Sequence, residues 1–268
     1  MLVAANMQGI GNRIKCMWGA ARLDSEFKVK WVNTSWVGKN TNSGFLDLFD
    51  MSDRYVAEIP SAGQEYRCYQ LAEKPTDRKL YVLPEKRKGH GGYLDHGYET
   101  IPHQVIADYM NVKKFIVPRQ HIIDKADKFY DQYMDKDIIG IQIRSWGECS
   151  NPSAYCHGRY ANFDILKFVE RMSYYNGKFF VSTDDPKLTL ELQRLFPSRI
   201  LTLDFEHDGN IFTGIRNDMT TWLCDLLLLS KCNKMLVSVD STFGEAAWWW
   251  GGATAHVDVI GHETPFTG

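Results

Sequence analysis

Asp137-Ile-Ile-Gly-Ile-Gln-Ile-Arg144 places four isoleucines within eight residues and ends on a cation. An apolar, β-branched run of this length reads as a strand buried on both faces, as in a parallel sheet. Downstream of it, helix-length and strand-length segments alternate. Helices are expected from about Asp164 to Tyr175, Lys187 to Leu195, Met219 to Ser230 and Thr242 to Trp250. Strands are expected at Lys178 to Ser182, Ile200 to Leu203, Met235 to Val239 and near Ala255 to Ile260. Upstream, Pro118 opens a helix in which Ile122, Ile123, Ala126, Phe129 and Tyr130 recur at helical spacing until about Met134. From Lys74 to His103 the pattern is broken by Pro75, Pro84 and Pro102, with a loop rich in Gly, His and Tyr at Lys88 to Tyr98. Such a loop is mobile or functional. At the start, Leu2 to Met7 reads as a strand, Gly9 and Gly11 as a turn, Asn12 to Leu23 as a helix and Lys28 to Val32 as a second strand. Repeated strand–helix alternation predicts an α/β fold. We expect two Rossmann-like halves, 1–133 and 134–268, facing one cleft.

The 268 residues carry 31 Lys and Arg against 33 Asp and Glu, for a net charge of −2. That balance argues against nucleic acid or an anionic membrane surface as a partner. An aromatic content of 13% argues against disorder. No apolar run approaches the roughly 20 residues of a membrane span, and no secretory signal is visible. Six scattered cysteines read as reduced thiols, so a soluble protein in a cytoplasm-like compartment is expected.

Five stretches could carry chemistry. Gly9-Ile-Gly-Asn-Arg13 is a glycine turn that permits positive φ and close ligand approach, followed by a helix whose N-terminal amides favour an anion. The third glycine of a dinucleotide fingerprint is missing, which argues against a nicotinamide oxidoreductase. Arg144 stands at the carboxyl end of the apolar strand, where open α/β sheets bind ligands. There it could grip phosphate oxygens or pair with a structural carboxylate. In Ser182-Thr-Asp-Asp-Pro186 helix capping accounts for most of the pattern, with one further acid, Asp184, left for the cleft. Asp225 lies in a leucine-rich helix, where a carboxylate needs a partner: a neighbouring loop, or the paired N–H donors of a guanine edge. Ser241, Thr242 and Phe243 begin a helix whose hydroxyls and amides form a phosphate cradle or an ordinary N-cap. Trp248-Trp-Trp250 reads as core filling. Cys149, Cys156 and His157 lack a second pair at zinc spacing, so no metal site is expected.

Taken in this order, the pieces resemble the fucosyltransferase superfamily of GT-B fold, comprising the α1,2-, α1,6- and protein O-fucosyltransferases. Gly9-Ile-Gly-Asn-Arg13 is similar to their G-x-G-N turn, Ile139-Gly-Ile-Gln-Ile-Arg144 to their V-G-V-H-x-R strand, and Thr183-Asp-Asp-Pro186 to their T-D-D-P segment. The run from Cys224 through Cys232-Asn to Thr242-Phe-Gly244 and Gly251-Gly252 tracks their C-terminal block. The resemblance covers residues 137–253 and the first helix, but not residues 33–115.

The resemblance implies inverting, metal-independent transfer from a GDP-sugar, normally GDP-fucose, to a glycan hydroxyl. The nucleotide sugar is then a co-substrate, and no cofactor is needed. It also implies that Arg144 binds the diphosphate, Ser241, Thr242 and Phe243 cradle the β-phosphate, Asp225 reads guanine, and Gly9 to Arg13 face the nucleotide from the other half. Three departures bear on this. Gln142 replaces the family histidine and can hydrogen-bond a base without titrating. Ser145 replaces a second arginine, so Arg13 or Arg216 would have to assist with the diphosphate. Glu148 stands one position from the family aspartate and is the candidate general base. The acceptor is expected near Lys88 to Tyr98, at His90, Tyr93 and His96. A rhamnose, xylose or mannose donor is an alternative, as is a catalytically decayed nucleotide- or glycan-binding protein. With the first motif at Gly9, a bacterial or viral enzyme, or a trimmed catalytic domain, fits better than an anchored form with a stem.

Overall fold

Every strand pairing within the two larger sheets is parallel. The computed structural model describes residues 1–6, 8–33, 43–61, 63–66, 103–145, 164–203, 205–206, 211–212, 218–239 and 241–261. In the first half, β1 (Leu2–Ala4), β2 (Lys28–Lys30), β3 (Tyr55–Val56) and β4 (Gln64–Tyr66) form a four-stranded sheet in the order β3-β2-β1-β4. Helices α1 (Ile10–Leu23), α2 (Phe45–Leu48) and α3 (His103–Lys113) belong to this half, whereas α4 (Gln120–Tyr133) packs toward the second sheet, with Phe129 against Phe180.

The second sheet has β5 (Ile139–Ile143), β6 (Phe179–Thr183), β7 (Ile200–Leu201), β10 (Lys234–Ser238) and β11 (His256–Ile260), in the order β11-β10-β5-β6-β7. Its helices are α5 (Ile165–Ser173), α6 (Pro186–Leu195), α7 (Met219–Leu229) and α8 (Thr242–Trp250). A short antiparallel pair, β8 (Phe205–Glu206) and β9 (Ile211–Phe212), stands apart.

The two sheets share one topological feature. The chain steps outward on one side of the opening strand, then returns to add strands on its other side. The order therefore reverses between β1 and β4, and again between β5 and β10. Such a reversal opens a crevice at the carboxyl ends of the strands, because the connections on its two sides diverge.

Parallel sheets need both faces covered, and alternation along β5 and β6 meets that need. Ile139, Ile141, Ile143, Phe179 and Val181 pack with Phe168 and Met172 of α5 and Leu192 of α6. Phe180, Met235 and Val237 join a larger cluster with Trp18 of α1, Ile122 of α4, Leu223 of α7 and Trp248 of α8. That cluster also takes in Ala4 and Val29 of the first sheet, so one core binds both halves. Gln142 and Ser182 share register across β5 and β6 and have the same parity as Phe180. They therefore face the α7–α8 layer.

The strands and helices expected from residue 137 onward fall within a few residues of their observed bounds. In the first half, β1 ends at Ala4, β2 ends at Lys30 and α1 begins earlier than expected, at Ile10. α2, α3, β3 and β4 were not anticipated; β3 and β4, of two and three residues, are too short to show a period.

Trp248 and Trp249 are buried, and the Trp248 indole donates to the Ala255 carbonyl at 3.0 Å, which bears out core filling. Cys16, Cys224 and Cys232 are buried. Burial pushes Cys224 and Cys232 up to about 12, so both stay protonated and pack as small apolar groups. Cys68, Cys149 and Cys156 lie outside the described residues. Among the described residues no helix is long and apolar enough to cross a membrane.

Candidate functional site

The site is built at the carboxyl ends of β5, β6 and β10. β5 and β10 are hydrogen-bonded neighbours, with Gln142 opposite Val237. One step further along, the Arg144 amide donates to Ser238 Oγ at 2.8 Å. The strand carrying Arg144 is thus fixed beside the strand that leads into Ser241. The side chain of Arg144 is 36% exposed, so it reaches the crevice mouth, where its guanidinium pairs with the Asp184 carboxylate. Of the two sequence readings of Arg144, the one seen here is pairing with an internal carboxylate.

Asp184 and Asp185 have separate roles. Asp185 caps α6, accepting from the Lys187 amide at 2.9 Å, with Pro186 as the first helical residue. Asp184 accepts from the Ser145 amide at 2.8 Å and the Ser145 hydroxyl at 3.0 Å besides Arg144. Ser145, at the position of the second arginine, is buried and holds this carboxylate. Replacing Asp185 by Ala is expected to cost about 1 kcal/mol, seen as a lower urea midpoint with an unchanged slope.

At the end of β10, Ser241 is the N-cap of α8, its side chain accepting from the Gly244 amide at 3.4 Å. The first-turn amides of Thr242 and Phe243 have no intrahelical acceptor, as at any helix start. They and the helix dipole favour an anion there. Against this tip packs the start of α1. A Cβ on Gly11 would lie 2.7 Å from Phe243 N, Phe243 Cα and the Thr242 carbonyl oxygen. Only glycine lets the two backbones come so close. A Cβ on Gly9 would meet nothing within 4 Å. The turn from the first half and the cradle from the second are thus brought together. Gly9 itself has φ −60° and ψ 164°, ordinary extended backbone, so the positive φ that glycine permits is not used there.

Arg13 is a second correction. It was expected to face the nucleotide and assist Arg144, but its guanidinium turns inward and is buried. Nε donates to the Gln8 carbonyl at 2.7 Å, one terminal nitrogen donates to the Val32 carbonyl at 2.8 Å, and the group lies 4.3 Å from the Trp31 ring centroid. Its several donors satisfy buried loop carbonyls and tie the turn before α1 to the end of β2. Burial lowers its pKa to about 10, which leaves it cationic at neutral pH.

Asn12 donates to Gln8 Oε1 at 2.6 Å, and its own Oδ1 is buried with no hydrogen-bond partner among the described residues. Gln142 is 3% exposed; its Oε1 likewise has no partner there and lies 3.1 Å from where a Cβ of Gly244 would be. Beside it, Ser182 Oγ donates to Asp225 Oδ2 at 2.7 Å. Asp225 is fully buried, and a strand hydroxyl provides the partner that its apolar helix cannot. Gln142, Ser182 and Asp225 therefore form a polar line on the inner face of the sheet. Glu148, His90, Tyr93, His96 and Arg216 lie outside the described residues.

Sequence reasoning missed one feature. Lys15 carries no local signal of a role, yet its Nζ lies 2.8 Å from Glu245 Oε2 with both side chains fully buried. Among the described residues no group of three or more His, Cys, Asp or Glu is placed to hold a metal ion.

Compared by sequence, the chain matches no protein family and no curated protein. Compared by structure, it is similar to NodZ, an α-1,6-fucosyltransferase. A NodZ structure soaked with GDP-fucose superposes with a TM-score of 0.52 at 14% identity, covering 93% of this chain and 91% of that one. NodZ from Bradyrhizobium gives 0.51 at 14% identity, with 92% and 90% covered. A mutant of Arabidopsis thaliana FUT1 in complex with GDP gives 0.50 at 14% identity, with 96% and 69% covered. The fold is the GT-B fold of these fucosyltransferases.

Proposed function

We propose that this chain is an inverting, metal-independent glycosyltransferase that moves a sugar, fucose from GDP-fucose, to a glycan hydroxyl. One observation carries the reading. The Arg144 strand end and the Ser241–Phe243 helix tip flank the reversal between β5 and β10, and the Gly9–Asn12 turn of the other half closes on that tip. The donor lies between the halves 1–133 and 134–268, with its diphosphate at the tip.

The acceptor oxygen attacks the anomeric carbon, its proton passes to Glu148, and the bond to the β-phosphate oxygen breaks. The leaving diphosphate gains negative charge as it departs. Arg144 and the first-turn amides of α8 stabilise that charge without a metal ion. Asp184 holds the guanidinium until the diphosphate competes for it. Guanine lies toward the Gln142–Ser182–Asp225 line. There the enclosed Gln142 Oε1 supplies an acceptor for a base N–H, and Asp225 is the carboxylate on that line. His90, Tyr93 and His96 are the proposed acceptor-binding residues.

A thermal-shift screen of GDP, UDP, ADP and dTDP, followed by sugar release from GDP-fucose and from mannose, rhamnose and xylose nucleotides, tests the reading. GDP should give the largest shift. Preference for UDP would overturn the assignment of Asp225. A second reading, nucleotide binding without turnover, draws on Ser145, which binds an internal acid where a second arginine would supply a cation. GDP binding with no sugar released across donors and acceptors would favour it.

Gln142→Leu separates stability from recognition. A buried acceptor without a donor costs about 1–3 kcal/mol, so removing it should raise Tm of the free protein. GDP affinity should fall in the same variant by about tenfold, the scale of one hydrogen bond. Lower Tm with unchanged affinity would place Gln142 in packing alone.

A further inference from the structure

We propose that Lys15 and Glu245 are a positioning pair that sets the gap between the two helix tips of the donor site; this rests on the donor-site reading above. Lys15 lies one turn into α1 from Gly11, and Glu245 lies one turn into α8 from Ser241. Their ion pair therefore sits directly behind the place where the Gly11 Cα meets the Phe243 backbone. Glu245 is held from a second direction: its Oε1 accepts from the Trp249 indole at 3.0 Å. Trp249 in turn stacks on Tyr109 of α3 with ring centroids 4.3 Å apart. A line of directional contacts thus runs from α1 through Glu245 to α3.

Cohesion alone does not call for this pair. α1 and α8 already share apolar contacts, including Trp18 against Trp250 with centroids 5.6 Å apart. A buried ion pair is often no more stabilising than apolar residues of the same volume. What it adds is direction. Apolar surfaces can slide past each other by a few tenths of an ångström, whereas a carboxylate held at both oxygens fixes rotation and register. Sliding is what the backbone contact at Gly11 cannot absorb.

The test uses Lys15→Met, Glu245→Gln and the double variant. Each single change leaves one buried polar partner uncompensated and should lower Tm sharply. The double variant should recover most of that Tm. Its amides at 9–16 and 241–246, measured by hydrogen exchange without ligand, should nevertheless exchange about tenfold faster than wild type, while α5 is unchanged. GDP affinity should fall by about the same factor. Trp249→Phe keeps the ring and removes the donor, so it should speed exchange at the same two tips even if the double variant does not fold. Wild-type exchange at both tips in the variants that fold would overturn the proposal. Absence of GDP binding by the wild-type protein would instead remove the donor-site reading, and the exchange data would still decide whether the pair holds the tips.

Discussion

Arg144→Ala is expected to abolish sugar transfer and to weaken GDP binding by about 2 kcal/mol or more, roughly thirtyfold. Two effects add. The variant loses a charge-assisted contact to the diphosphate, and it leaves the Asp184 carboxylate, without its Arg144 partner, near an incoming anion of the same sign. Adding Asp184→Asn to Arg144→Ala should therefore recover part of the lost affinity while turnover stays absent. Because the Arg144 amide, not its side chain, bonds to Ser238, the strand end should remain in place and Tm should change little. Isothermal titration with GDP and a sugar-release assay check both parts. Normal turnover in Arg144→Ala would remove the case for this residue.

Gly11→Ala should lower stability by about 3 kcal/mol, roughly 6–12 °C in Tm for a chain of this size. Helix propensity alone predicts the opposite sign, since alanine in a helix is favoured over glycine by about 1 kcal/mol. The clash decides the outcome, because the added methyl would meet backbone atoms at 2.7 Å and backbone cannot rotate away. α1 and α8 must separate, and the GDP site between them should weaken with them. Gly9→Ala, whose Cβ meets only open space, is the control and should change Tm by far less. A more stable Gly11→Ala protein would mean that the two tips are not in contact.

The legible part of the fold was the part made of long apolar runs. Ile138 to Ile143, Phe179 to Val181 and Leu226 to Leu229 leave little choice of periodicity, and in the structure their residues are almost wholly buried. The first sheet was harder to read because its strands are two or three residues long and take their stability from α1 and the shared core. At the site, residue type pointed to Arg144 and Ser241 and the resemblance to Gln142, while the partners of Asp184, which are Arg144 and Ser145, are made across distant segments that no local pattern announces. Arg13 was misread because an arginine beside a glycine turn suggests an anion, whereas the carbonyls of Gln8 and Val32 claim it. Lys15 and Glu245 are 230 positions apart, and no local pattern announces a pair made at that separation.

The most direct test is a crystal structure of the chain with GDP bound. The diphosphate should lie at the first turn of α8, contacting the amides of Thr242 and Phe243, with the Arg144 guanidinium moved from Asp184 onto its oxygens. A diphosphate bound elsewhere, with Arg144 still on Asp184 and the tip of α8 untouched, would contradict this placement.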